Sequence, residues 1–128
     1  LVPGTHASTF GGNPLAAACA CAVLDTLIQG GILEKAQEGA SQLDRGLDAM
    51  AARLGSAGVV EVRGSGHLRA VELPRPAADV IRRCQEAGVL VISAGPSNVR
   101  LAPPLIISPQ QIDEGLAVLE AAIAADLA

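Results

Sequence analysis

The spacing of apolar positions changes repeatedly along the chain, and each change marks an element. After a polar, glycine-rich opening (residues 1–13), residues 14–28 are apolar nearly all round, with Asp25 their only charge. Such a stretch predicts a helix buried on every side. Asn13 is a good N-cap, and Pro14 suits the first helical position because its missing N–H would find no partner there; Gly30-Gly31 ends the run. From 32 to 54 the pattern narrows to a stripe. Ala36, Ala40, Leu43, Leu47, Met50 and Leu54 recur at three- and four-residue spacing, while Glu34, Lys35, Glu38, Arg45, Asp48 and Arg53 fall largely outside it. A second, amphipathic helix is expected, weakened at Gly39 and Gly46 by about 1 kcal/mol each relative to alanine.

The period then drops to two. Residues 59–63 and 68–73 alternate like half-buried strands on either side of a Gly64-Ser65-Gly66 turn. Pro74 and Pro76 bracket the start of a helix over 77–87, ended by Gly88. Residues 89–93 read as a third strand and 98–102 as a short fourth that runs into Pro103-Pro104. The last helix opens on Ser108 as N-cap, Pro109 at the first position and Gln111 completing a capping box, and it buries Ile112, Leu116, Leu119, Ile123 and Leu127. This order predicts an α+β domain in which helices cover one face of a small sheet. No internal repeat and no linker interrupts it.

Composition narrows the picture. The 128 residues suffice for one real core. Half are apolar, yet the chain has one Phe, no Tyr and no Trp, so aliphatic side chains must fill that core. A net charge of −4 provides no basic patch, and no nucleic-acid partner is expected. The most apolar stretch, 15–24, is too short to span a bilayer and lacks the basic flank of a signal peptide, so no membrane partner is expected either. The three cysteines are odd in number. Cys19 and Cys21 point in different directions on a helix and make neither a disulfide nor a chelate; reduced, buried thiols in a cytoplasmic protein are expected. The chain starts at Leu1 rather than Met, and is therefore expected to be cut from a longer one.

Candidate chemistry gathers at three places. His6-Ala-Ser-Thr-Phe-Gly-Gly-Asn-Pro14 combines hydroxyls, glycines and a helix start, which can hold a phosphate; Ser8 and Thr9 as ordinary loop residues and Asn13 as a mere cap is the plainer alternative. Arg100 stands between Val99 and Leu101, whose parity turns them to the core, so its guanidinium faces away beside a rigid Pro-Pro turn. It is suited to a carboxylate, or is an ordinary surface arginine. Arg63-Gly-Ser-Gly-His67 reads as a hairpin turn, with His67 a turn histidine without catalytic partner. His6 also lacks a partner, and no metal site is expected from two distant histidines. One Lys, Lys35, accompanies eight Arg.

The segment Pro3-Gly-Thr-His-Ala-Ser-Thr-Phe-Gly-Gly-Asn-Pro-Leu-Ala16 resembles the signature of class-III pyridoxal-phosphate-dependent aminotransferases, the acetylornithine/ornithine kind, and is closest in pattern to acetylornithine aminotransferases. Val62-Arg-Gly-Ser-Gly66 with Glu72-Leu73, Ala87-Gly-Val-Leu-Val91 with Ala94-Gly-Pro96, and Val99-Arg-Leu-Ala-Pro-Pro-Leu-Ile-Ile-Ser108 follow in the family's order. The resemblance spans essentially the whole chain. It implies the small C-terminal domain of a fold-type-I enzyme, with a small, mostly antiparallel sheet: residues 1–13 as the cofactor-phosphate loop ending the large domain, and 14–128 as the small domain with the interdomain helix.

By the same resemblance, Thr9 binds the phosphate of pyridoxal 5'-phosphate across a dimer interface, Ser8 belongs to the substrate pocket, and Arg100 receives the α-carboxylate of 2-oxoglutarate or glutamate. The implied parent is a cytoplasmic homodimer with shared active sites, moving the amino group of N-acetylornithine or a related ω-amino donor to 2-oxoglutarate in arginine biosynthesis. No catalytic residue is assigned within this chain. The family's Schiff-base lysine precedes the Ser-Thr motif, and Lys35, on the polar face of a helix, does not replace it. The chain alone is therefore expected to be inactive. A freestanding α+β binding module is the alternative from another class, and the tail of an ornithine, 4-aminobutyrate or succinylornithine aminotransferase the alternative within it. Three departures stand out: Ala7 replaces a glycine, and His67 and Arg69 occupy positions commonly apolar or glycine. The parity of Arg69 places it near the core face or snorkelling from it.

Overall fold

The computed structural model describes residues 2, 4–5 and 8–127. The chain forms two compact units, Leu1–Leu33 and Glu34–Ala128. In the first, helix α1 (Pro14–Gln29) starts as its residues dictate: the Asn13 side chain accepts the Ala16 N–H at 2.9 Å, and Pro14 needs no partner. Gly31, with φ +62°, lets the chain turn out of the helix.

None of the described residues of α1 is buried, contrary to the all-round burial its composition predicts. Leu15 is 75% exposed and Ile28 74%. Cys19 and Cys21 are exposed with the rest of the helix, so only Cys84 fits the expectation of buried thiols. The cause is common to all: an apolar helix is buried only where another surface packs on it.

The second unit is built on α2 (Ile32–Gly58), whose helical dihedrals break at Gly55, next to the end its stripe predicts. Ala36, Leu43, Leu47 and Met50 are buried as that stripe requires. There follow β1 (Glu61–Ser65), β2 (Leu68–Glu72), α3 (Ala78–Glu86), β3 (Ile92–Ser93), β4 (Asn98–Leu101) and α4 (Pro109–Ala124). The sheet is antiparallel throughout, in the order β1-β2-β4-β3. Val71 and Val99 point from its inner face into a core shared with Leu47, Met50, Val80, Cys84, Ile112, Leu119 and Ile123. Burial pushes the Cys84 thiol up from its ordinary pKa. The α+β class with a small antiparallel sheet is what the pattern of elements and the resemblance together predict.

Gly39 and Gly46 are more than weak points. A β-carbon at Gly46 would lie 2.3 Å from Cδ1 of Leu116, and one at Gly39 would lie 3.3 Å from Nε2 of His67 and 3.4 Å from Cδ1 of Ile112. Both glycines let α4 and the hairpin approach the axis of α2. Gln42 then reaches Asp113 at 2.7 Å, and Arg53 holds Glu120 through two bonds of 2.6 Å.

Three further expectations are corrected. The third strand is two residues long, not five, because its partner ends. Pairing is kept opposite Val99 and Arg100; continuing that register would set Val91 opposite Leu101, the last residue of β4, and residues 90 and 89 opposite Ala102 and Pro103 beyond it, where Pro103 offers no N–H. Strand β1 starts at Glu61 rather than residue 59, since Val59 closes the turn that follows Gly55, its N–H bonded to the Gly55 carbonyl at 2.9 Å. Leu127 is exposed because α4 stops at Ala124; Leu116 is only half-buried. The capping box of Ser108 and Gln111 forms as expected.

Candidate functional site

The sheet's outer face carries the chemistry. Cross-strand partners share a face, so the register aligns Arg63, Ala70, Arg100 and Ile92 in one row and Glu61, Glu72 and Asn98 in the next. Arg100 is exposed on this face while Val99, its neighbour in the strand, is fully buried. Its guanidinium therefore faces away from the core, as the parity of its strand predicts.

A shallow cavity of about 580 Å³ borders it, lined by Arg63, Gly64, Ser65, Leu68, Arg69, Ala70 and Arg100. Ala70, opposite both Arg63 and Arg100, contributes only a methyl group to its lining.

The three arginines around the cavity differ in their commitments. Arg63 donates to Glu61 at 2.9 Å, to Glu72 at 2.6 Å and to Asn98 at 2.6 Å. The hydrogen bond to Glu72 raises its pKa above the ordinary guanidinium value; desolvation opposes this, and Glu61 adds to the rise. Arg69, with a side chain 11% exposed, points the other way. It donates to the carbonyls of Gly64 at 2.6 Å and Gly66 at 3.0 Å and pairs with Asp44 of α2, which resolves how a charge sits beside the core face. Among the described residues, Arg100 has no hydrogen-bond partner and no ion pair. It is the one sheet arginine whose five donors are free.

Ser8 and Thr9 lie together in the first unit, on exposed turns that run into α1, with the Gly11 N–H bonded to the Ser8 carbonyl at 3.3 Å. Neither hydroxyl has a partner among the described residues. The helix start itself has less to offer an anion than its sequence promises. Asn13 already takes the Ala16 N–H, and Pro14 has none. Among the described residues of this unit, the anion-binding capacity is that of two hydroxyls, with no cationic side chain. His6 and Ala7 lie outside the described residues.

His67 is not a free turn histidine. Its ring is partly buried, with Nε2 2.9 Å from the Ala36 carbonyl and Nδ1 3.3 Å from that of Pro103. It ties the hairpin to α2 and to the segment just after Arg100. The only sequence signal was Gly39, whose missing side chain makes room for the ring. The Arg63 cluster was equally unread, although Arg63 and Glu61 share parity on β1. Lys35 is exposed on α2 and lines none of the cavities described. Among the described residues no group of three or more His, Cys, Asp or Glu is placed to hold a metal ion, and no single helix is long and apolar enough to cross a membrane.

Residues 1–123 match the family Aminotransferase class-III. The chain is 45% identical over 123 residues to an acetylornithine aminotransferase of Gloeobacter violaceus, covering 95% of this chain and 30% of that protein. Its fold matches a lysine aminotransferase from M. tuberculosis with a TM-score of 0.86 at 33% identity, covering 97% of this chain and 29% of the other. It matches an ornithine delta-aminotransferase of Plasmodium falciparum with a TM-score of 0.82 at 35% identity, covering 98% of this chain and 33% of the other. The chain thus spans about a third of the length of the proteins it resembles.

Proposed function

The chain belongs to the class-III aminotransferases, and from that membership we propose that it is the small C-terminal part of a pyridoxal-phosphate enzyme passing the amino group of N-acetylornithine, or a related ω-amino donor, to 2-oxoglutarate. The observation that carries this reading is Arg100. A free guanidinium beside a cavity, on a face whose other arginine is fully engaged, is a seat for a carboxylate, which it can grip through two parallel N–H donors. 2-Oxoglutarate carries its α-carboxylate next to the reacting carbon, whereas an ω-amino donor reacts at the end remote from its own, so such a seat serves the keto acid above all. The acetylornithine donor is favoured by relatives of that name that are 43–45% identical to this chain.

When bound, pyridoxal phosphate supplies the electron-withdrawing ring on which the amino group is carried between the two substrates. The residues present fit one corner of its phosphate site. Thr9 offers a hydroxyl donor, exposed and without a competing partner, and Ser8 offers a second on the substrate side. Two hydroxyls do not neutralise a phosphate dianion. The cations that do, the reactive lysine and most donor selectivity are assigned to the rest of the enzyme, including a second subunit into whose site Thr9 reaches. This chain alone is then inactive: its one amine side chain, Lys35, lies on an exposed helix face. Its role is to orient the substrate carboxylate and hold one phosphate oxygen. The three unpaired thiols fit a cytoplasmic enzyme.

The test separates the two half-reactions in the full enzyme. Thr9→Ala should weaken cofactor retention, read by spectroscopic titration of the apoenzyme, by about 10- to 150-fold for one lost hydrogen bond to a charged group. Arg100→Ala should raise the KM for 2-oxoglutarate far more than that for the amino donor. Equal losses in both half-reactions would refute the role of Arg100.

A further inference from the structure

The outer face poses a question that its charges alone do not answer. It holds two arginines, Arg63 and Arg100, and two carboxylates, Glu61 and Glu72. A neutral pairing of one with one would satisfy all four. Instead both carboxylates go to Arg63, and Arg100 is left open.

The register makes that choice meaningful. Glu72 lies one row from Ala70, and Ala70 stands between Arg63 on β1 and Arg100 on β4. Arg63 and Arg100 are thus the two diagonal neighbours of Glu72 on the same face, one on each side. Diagonal positions are about 7–8 Å apart, within reach of long side chains. Glu72 is consequently able to pair with either arginine.

What holds it to Arg63 is company. Arg63 gains Glu61 on its own strand and the Asn98 carbonyl oxygen two strands away, so its guanidinium is anchored over the Glu72 row. Asn98 also lies on Arg100's own strand and face, and as an amide it adds no negative charge beside that guanidinium.

We infer that Arg63 is a positioning residue for substrate binding: by holding Glu61 and Glu72, it keeps Glu72 from pairing with Arg100 and so keeps the carboxylate seat open. The inference rests on the assignment of Arg100 as that seat. Remove Arg63, and Glu72 turns to the only cation left within reach. The substrate's carboxylate must then displace an internal one before it binds. An exposed ion pair contributes at most about 1 kcal/mol, so the competition is worth up to about a five-fold rise in KM.

Two measurements test this. On the 128-residue chain, ¹³C-detected titration of the Glu72 carboxyl is compared in Arg63→Met and Arg63→Met/Arg100→Met. With Arg63 in place, Arg100→Met should leave the Glu72 titration unchanged. In the Arg63→Met background, removing Arg100 should raise the Glu72 midpoint, since Arg100 has become its partner. In the full enzyme, Arg63→Met should raise the KM for 2-oxoglutarate about two- to five-fold with little change in kcat. Arg63→Met/Glu72→Gln should return the KM to its starting value, and Arg63→Lys, which keeps a cation for Glu72, should barely move it.

A Glu72 midpoint indifferent to Arg100 in the Arg63→Met background overturns the inference. So does a KM defect that Glu72→Gln fails to relieve, for then Arg63 acts only by supporting the hairpin. If Arg100→Met leaves the KM untouched while Glu72 still changes partner, the ion-pair exchange stands but the carboxylate assignment of Arg100 falls, and the positioning role falls with it.

Discussion

Replacing Gly64 by alanine should damage this fold more than any conservative surface change, and the structure allows the cost to be worked out. Gly64 lies on β1 with φ +131°, a region essentially closed to residues with a β-carbon. Holding alanine there costs about 1–3 kcal/mol. Space adds to the strain, since the new methyl would lie 2.1 Å from the Leu68 carbonyl oxygen and 3.0 Å from the Arg69 Cα. Both are backbone atoms of the partner strand, so no side chain can swing aside. Relief requires β1 and β2 to part by about an ångström, at the expense of ladder bonds worth about 0.5–1.5 kcal/mol each. The total is about 2–5 kcal/mol, a drop of about 10–20 °C in Tm for a domain of this size. Gly115→Ala is the control. It sits within α4 with open space around the new methyl, and alanine there should gain about 1 kcal/mol, or about 4 °C. Thermal unfolding followed by circular dichroism reads both. A Gly64→Ala variant within about 1 kcal/mol of the parent would show that the hairpin yields easily, and the strain argument would be wrong.

The remaining predictions concern the two units separately. The uncovered α1 should make the 128-residue chain self-associate, and replacing Leu24 and Ile28 by glutamate should reduce the mass measured by light scattering; a monodisperse monomer at high concentration would contradict this. Glu120's carboxyl is held below its ordinary pKa by the hydrogen bond to Arg53, with desolvation opposing. Because the folded value lies below the unfolded one, the stability it contributes is fully present above the unfolded carboxylate pKa, about 4.3, and is lost as pH falls through the folded value. Glu120→Gln should therefore flatten the acid side of a plot of Tm against pH; an unchanged slope would show that the pair is not coupled to folding.

Helices were more legible than strands here, for a physical reason. A helix announces itself within its own segment, through a stripe and caps such as Asn13-Pro14 or Ser108-Pro109-Gln111. A strand needs a partner, and the length of β3 depends on where its neighbour β4 ends. The site divides in the same way. Arg100 was legible as an outward-facing arginine because parity is local. That it is free could not be read, because its freedom depends on where Glu61 and Glu72 send their charges, a matter of cross-strand register. His67 escaped notice because its partners are two carbonyls, and carbonyls leave no trace in a sequence.

The exposure of α1 and the openness of Arg100 have a common physical basis. An apolar helix with no residue buried and a guanidinium with no partner are each costly or idle in an isolated domain, and sequences rarely keep either without a use. Both become economical if another protein surface covers the helix and a substrate carboxylate meets the arginine. The interior of the second unit, by contrast, satisfies itself: among the described residues none of its buried side-chain polar atoms lacks a hydrogen bond, and its core is continuous from α2 to α4. The two open features therefore lie at the surface, in α1 and at Arg100, and the role proposed above gives a use to the second.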